Sequence, residues 1–138
     1  MKFLKIIILI VSIFCIALFA WGKVSSARIG LDANKALKPC PSTPNCVITN
    51  YNNELFNLDI SSVQTALENI GGEIITTSDN YIHGVFTSTL FRFKDDFEVL
   101  LSSDTMQFKS ASRTGKSDLG VNAKRIKRVE EMLDIQNN

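Results

Sequence analysis

Apolar and polar positions along this chain fall into three rhythms. From Ile6 to Trp21 sixteen residues pass without a charge or a proline, preceded by Lys2, Phe3-Leu4 and Lys5. An apolar run of this kind predicts an N-terminal hydrophobic helix. Val63, Ala66, Leu67 and Ile70 recur at helical spacing, with Ser61 and Gln64 placed as a capping box and Gly71-Gly72 as the stop. Four strands follow by composition and alternation: Glu73 to Ser78, Tyr81 to Thr89, the run through Phe97, Val99 and Leu101, and Thr105 to Ser112. Asp79-Asn80 and Ser103-Asp104 supply tight turns, and short connections make consecutive strands antiparallel neighbours. A last stripe of Ile126, Val129 and Leu133 predicts a helix opening near Asn122, a good N-cap. The expected fold is α+β: a sheet of about four antiparallel strands, two helices packed on one face, and the N-terminal hydrophobic helix.

The leader sits between two lengths. As a helix its sixteen residues measure about 24 Å, short of the roughly 30 Å hydrocarbon layer. Counted from Phe3, with Lys5 snorkelling, it reaches about 28 Å. Ser25-Ser26-Ala27 also offers small residues at −3 and −1 for cleavage after Ala27. An uncleaved anchor and a cleaved signal peptide both stay open. Either way Lys2 and Lys5 remain inside and the domain lies outside the cytoplasm, on the periplasmic or cell-surface side. Bulky Phe14 before Cys15 argues against a lipoprotein. The expected organisation is 1–27 as anchor or signal peptide, 28–38 as a linker and 39–138 as one globular domain. Lys23 to Lys38 carries no sustained apolar period and reads as a weakly ordered tether.

All three prolines lie in Pro39-Cys40-Pro41-Ser42-Thr43-Pro44-Asn45-Cys46, which makes this a rigid loop. In an exported chain, Cys40 and Cys46 suggest a structural disulfide. The rival readings are half a metal site and a reactive thiol pair; with one histidine in the chain, a complete zinc set would need carboxylates or a second chain.

Charge adds one feature. The chain carries a net +1, yet from Lys109 to Arg128 seven basic residues face one acid, Asp118. Such a patch attracts anions, and it also describes a solvated helix face. Lys124, Arg125, Lys127 and Arg128 oppose the dipole of the last helix, while Lys127 with Glu131 recovers a little. Within the patch, Ser110 to Asn122 is the most polar stretch between two core-patterned elements. Its hydroxyls, glycines and cations at a helix start resemble an anion cradle. The expected ligand-binding side chains are Arg92, Arg113, Lys116, Ser117, Asp118, Asn122 and Arg125. Gly115-Lys116-Ser117 is no phosphate loop, because the earlier glycine is missing. His83 shares a strand face with Tyr81 and Val85 and reads as packed or solvent-facing rather than as a general base. Asp95 and Asp96 should point to opposite faces, with Arg92 or Arg113 pairing one of them. Ser110 and Ser112, on the inward alternation, need partners, for which the amides of Gly115 to Gly120 are the candidates.

Three segments resemble the domain-of-unknown-function 1499 family: Cys40 to Val47, Thr87-Ser88-Thr89-Leu90-Phe91-Arg92-Phe93-Lys94-Asp95-Asp96, and Ser110 through Asn122. They are similar to its C-P-x-S-P-N-C-V, T-S-x-L-F-R-F-x-D-D and S-A-S-R-x-G-x-S-D-L-G-x-N-x-x-R patterns, with Arg125 in the final place and Thr43 the one small departure. The resemblance runs from Cys40 to about Leu133. It implies a small exported or membrane-attached protein with no assigned activity. The resemblance leaves function open. From the cationic, hydroxyl-rich stretch around Arg113, Lys116 and Ser117 the expected function is an extracytoplasmic membrane-associated domain binding an anionic small molecule or lipid headgroup, with no cofactor, metal or nucleic acid. A structural cell-envelope component comes second. A small hydrolase or lyase using Asp and Arg side chains comes third.

Overall fold

The computed structural model describes residues 2–24, 29–32 and 35–135. The chain runs α1 (Lys2–Val24), β1 (Cys46–Asn52), the single turn α2 (Asn53–Phe56), α3 (Ile60–Asn69), β2 (Glu73–Thr77), β3 (Tyr81–Thr87), β4 (Lys94–Leu101), β5 (Thr105–Ser112) and α4 (Val121–Met132). The sheet order is β1-β5-β4-β3-β2, antiparallel throughout. The α+β class and the packing of two helices on one face stand as expected. The sheet, however, has five strands and not four.

The additional strand is β1. Val47, Ile48, Thr49 and Tyr51 give it a strand's composition, but its partner β5 lies at the other end of the domain sequence: Cys46 faces Ala111 and Asn52 faces Thr105. Local turn chemistry announces a meander and says nothing of such a distant partner. Paired this way, β1 occupies an edge of β5 that would otherwise present bare N–H and C=O groups. The Cys40–Cys46 disulfide forms at its first residue, with Cα atoms 5.6 Å apart.

α3 lies over β2 and β3, and α4 over β5 and β1. Between helices and sheet, Val63 and Leu67 meet Ile82, Phe97, Val99, Met106, Phe108, Ile126 and Val129, all nearly or wholly out of water. Burying each such side chain stabilises by roughly 1.5–3 kcal/mol. The Phe97 ring sits between those of Phe86 and Phe108, with centroids 6.1 and 6.0 Å away. Asp59 caps α3, its carboxylate accepting from the Ser62 N–H at 2.7 Å. This corrects the expected Ser61 and Gln64 capping box: Asp59 lies two residues earlier and accepts from the same first turn. Gly71 (φ 90°) turns the chain out of α3.

The opposite face of the sheet is charged and buried. His83, Glu98 and Lys109 stand in one cross-strand row. Glu98 accepts from Lys109 Nζ at 2.8 Å and from the Tyr81 hydroxyl at 2.8 Å. Within the stretch expected to be a loose tether, residues 29–32 and 35–38 are described, and Gly30 meets this row. The Gly30 N–H donates to Glu98 Oε1 at 2.7 Å, Leu31 bridges Leu37, and Leu37 is buried. A buried carboxylate needs several donors, and a backbone amide supplies one that a solvated linker would not.

Among the described residues, no helix is long and apolar enough to cross a membrane. The structure thus offers the anchor reading no spanning helix. The cleavage positions Ser25 to Ala27 lie outside the described residues.

Gly72 packs where a side chain has no room, since an added Cβ would stand 2.9 Å from both the Leu67 carbonyl oxygen and Phe86 Cζ. Gly72→Ala is expected to destabilise the domain by roughly 1–3 kcal/mol. Thermal unfolding checks it, with a fall in Tm of several degrees expected.

Candidate functional site

At one end of the sheet, where β3 ends, β4 begins and β5 ends, three loops meet: 40–46, 88–93 and 113–120. Alternation along β4 splits the two aspartates there. Asp96 faces outward with His83, and Asp95 faces the helices opposite Ser112.

On the outward side, Arg113 grips Asp96 with two bonds, Nε to Oδ2 at 2.9 Å and Nη2 to Oδ1 at 2.6 Å. His83 Nε2 adds a third contact at 2.8 Å. Burial pushes the Asp96 carboxyl up, but the His83 and Arg113 hydrogen bonds and charges outweigh it and hold it below the usual carboxylate range. The expected pairing of Arg113 with one of these aspartates is present, and His83 is packed.

On the helix side, Asn122 is the hub. Its Oδ1 accepts from Ser110 Oγ at 2.6 Å and from Arg125 Nη1 at 2.7 Å. Its Nδ2 donates to the Asn45 carbonyl at 2.9 Å and to Ser112 Oγ at 3.0 Å. Arg125 goes on to Asp95 Oδ2 at 2.9 Å, and its guanidinium lies 4.4 Å above the centre of the Phe86 ring. The Asn45 side chain donates to the Gly115 carbonyl at 2.7 Å, fastening the disulfide loop to the polar loop. The partners of Ser110 and Ser112 are therefore the Asn122 and Arg125 side chains, not the amides of Gly115 to Gly120.

The start of α4 also differs from expectation. Gly120 (φ 79°) is the N-cap, and Asn122 lies wholly buried in the first turn. Asp118 fills the anion position: its Oδ1 accepts from the Gly120 N–H at 3.1 Å and its Oδ2 from the Asn122 N–H at 2.7 Å. Although burial raises the Asp118 pKa, those amide bonds win and hold its carboxyl low. A helix start occupied by its own carboxylate offers no vacancy to an outside anion.

The seven expected side chains thus divide among separate surroundings. Arg113 is spent on Asp96, Asn122 and Arg125 belong to the inner network, and Asp118 closes the helix. Arg92 (φ 56°) and Lys116 are exposed on loops, as is Ser117. A cavity of about 250 Å³ opens between loops 88–93 and 113–120, lined by Ser88, Phe93, Asp95, Ser112, Ser117 and Asp118. Its only charged walls are carboxylates.

A larger cavity of about 470 Å³ lies beside α4, lined by Lys124, Arg125, Lys127, Arg128 and Glu131, with Ile70, Phe86 and Val121 as apolar lining. Of these, only Arg125 was among the expected site residues. Lys124, Lys127, Arg128 and Glu131 stand at i, i+3, i+4 and i+7, a helical period that was legible in the sequence. The contribution of Ile70 and Phe86 was not. No group of three or more His, Cys, Asp or Glu side chains able to hold a metal occurs among the described residues.

The class is now defined: a two-layer α+β domain whose sheet end is knitted together by its own motif residues. The chain belongs to the family described as "Protein of unknown function (DUF1499)", which matches residues 36–133. A search of the curated proteins returned no match.

Because the folded Asp96 pKa lies below the unfolded one, the stability it contributes is present above about pH 4. That stability is lost as pH falls through the folded value. Asp96→Asn is expected to cost about 3 kcal/mol at pH 7 and to flatten the acid limb of the stability–pH curve, read by urea denaturation across pH. Asn122→Ala leaves the Ser110 hydroxyl and an Arg125 N–H without a shared acceptor, and about 2–4 kcal/mol of loss is expected by the same assay.

Proposed function

We propose that this protein is an exported, membrane-attached domain that binds an anionic amphiphile in the cavity beside α4. The observation that carries this reading is the pairing of Lys124, Lys127 and Arg128 with an apolar floor in about 470 Å³, where Glu131 is the one acid of the lining. A phosphate or carboxylate would meet Lys124, Lys127 and Arg128, while a short hydrocarbon chain would lie on Ile70, Phe86 and Val121. The Cys40–Cys46 bond supports an oxidising compartment outside the cytoplasm. The exposed apolar side chains of α1, among them Phe3, Ile10 and Phe14, support attachment to a membrane.

The acid–base reading has less behind it. Asp95 is paired with Arg125, Asp96 with Arg113 and His83, and Asp118 with two backbone amides.

Reversing charge at Lys124 and Arg128 does not threaten the fold, because both side chains are exposed and an acid at 124, in the first turn of α4, suits the helix dipole. Lys124→Glu with Arg128→Glu is expected to keep Tm and to weaken decyl phosphate binding at least about tenfold, or 1.4 kcal/mol. Calorimetric titration with decyl phosphate, inorganic phosphate and decanol checks it. Equal binding of decanol, or undiminished decyl phosphate binding by the variant, would remove this site.

A further inference from the structure

The loop end of the sheet carries a second feature that the cavity beside α4 does not use. Leu119 and Leu90 are 89% and 76% exposed, the two most exposed large apolar side chains among the described residues outside α1. Both stand on the loops that border the 250 Å³ cavity, so they lie at the same end of the sheet. Leu119 also sits at φ 54°, a left-handed conformation that suits glycine far better than leucine. A side chain both strained and in water contributes little to the fold, so its use lies elsewhere.

Charge completes the surface. In the same two loops and the strand ends they join, Arg92, Lys94 and Lys116 are exposed. The acids there are paired, Asp95 with Arg125, Asp96 with Arg113 and Asp118 with the amides at the start of α4, although Asp95 and Asp118 also line the cavity between the two loops. Apolar tips within an exposed cationic rim match the surface of an anionic bilayer, where leucines enter the acyl boundary and lysines meet headgroups. The stacked rings of Phe91 and Phe93, centroids 5.6 Å apart, brace the first tip.

Chain length permits it. Five residue steps join Val24 to Ile29, a covalent reach of at most about 18 Å. Gly30 is fixed to Glu98, four residues or about 13 Å along β4 from its Lys94 end. The leader and this end can therefore serve one bilayer.

We infer that the domain docks onto the anionic membrane surface by inserting Leu90 and Leu119, with Arg92, Lys94 and Lys116 on the headgroups. This rests on the membrane-attached reading and not on the cavity beside α4.

The test uses the full chain in a Cys15→Ala background, carrying one environment-sensitive fluorophore at Leu90→Cys, Leu119→Cys or Leu55→Cys. Leu55 is 72% exposed at the opposite end and serves as control. Vesicles are equal parts phosphatidylglycerol and phosphatidylcholine, compared with phosphatidylcholine alone. The expected result is flotation with the vesicles, with labels at 90 and 119 shifted blue and reached by lipid-phase quenchers on the anionic vesicles only, and the label at 55 unchanged. Leu119→Gly should hold or raise Tm while reducing quenching at position 90. Flotation with labels 90 and 119 as wet as label 55 overturns the docking surface alone. Shielding at 90 and 119 without lipid overturns it in favour of a protein occupant. Absence of flotation overturns the membrane-attached reading together with it.

Discussion

Two adjacent carboxylates on one strand cannot share a partner, and this constraint organises the domain. Asp95 and Asp96 project to opposite faces of β4, so each needs its own cation in its own layer. Arg125 reaches Asp95 from α4, and Arg113 reaches Asp96 from the chain just past β5. One dipeptide thereby fixes the last helix to the sheet and the exit of the last strand to its neighbour. Removing either arginine would strand a poorly solvated charge, which is costlier than forgoing the pair altogether.

The same economy explains why so polar an end is well defined. Asn122 can satisfy four groups at once only from within the first turn of α4, so Gly120 takes over the cap and Asp118 closes the helix amides. Asn45, carried by the disulfide loop, supplies the carbonyl that receives both the Ser112 N–H and the Asn122 side chain. The three segments that carry the family resemblance are thus partners of one another. Their polarity serves the fold first, and the surface left for other molecules is what this internal pairing does not consume.

The outer face follows a parallel rule. Glu98 and Lys109 are buried as a pair, with Tyr81 and the Gly30 amide filling remaining sites on the carboxylate. The Tyr81 hydroxyl is accordingly pushed well above its ordinary pKa, by burial first and by Glu98 next. On the helix side Tyr51, bonded to Glu130, is raised to about 12 for the same two reasons. Gly30 is in this way fixed to the middle of the sheet, and Leu31 bridges the buried Leu37.

Local rules sufficed for much of this fold. Periodicity marked Val63, Ala66 and Leu67 as one face of α3, turn residues marked the β2 to β5 meander, and alternation sent Asp95 and Asp96 apart, because each of these depends on residues a few positions away. The proline loop with its two cysteines was equally readable. What required the tertiary structure was long-range: β1 finding β5, Gly30 finding Glu98, Asn45 finding Asn122, Arg125 choosing Asp95. Sequence spacing lists donors and acceptors without saying which will meet, and a carboxylate four residues before Asn122 does not announce that it will fill the helix start. The cations of α4 were visible as a charge run. Only the packing of Ile70 and Phe86 beneath them turned that run into a cavity, since a concave surface is a property of two elements and belongs to neither sequence alone.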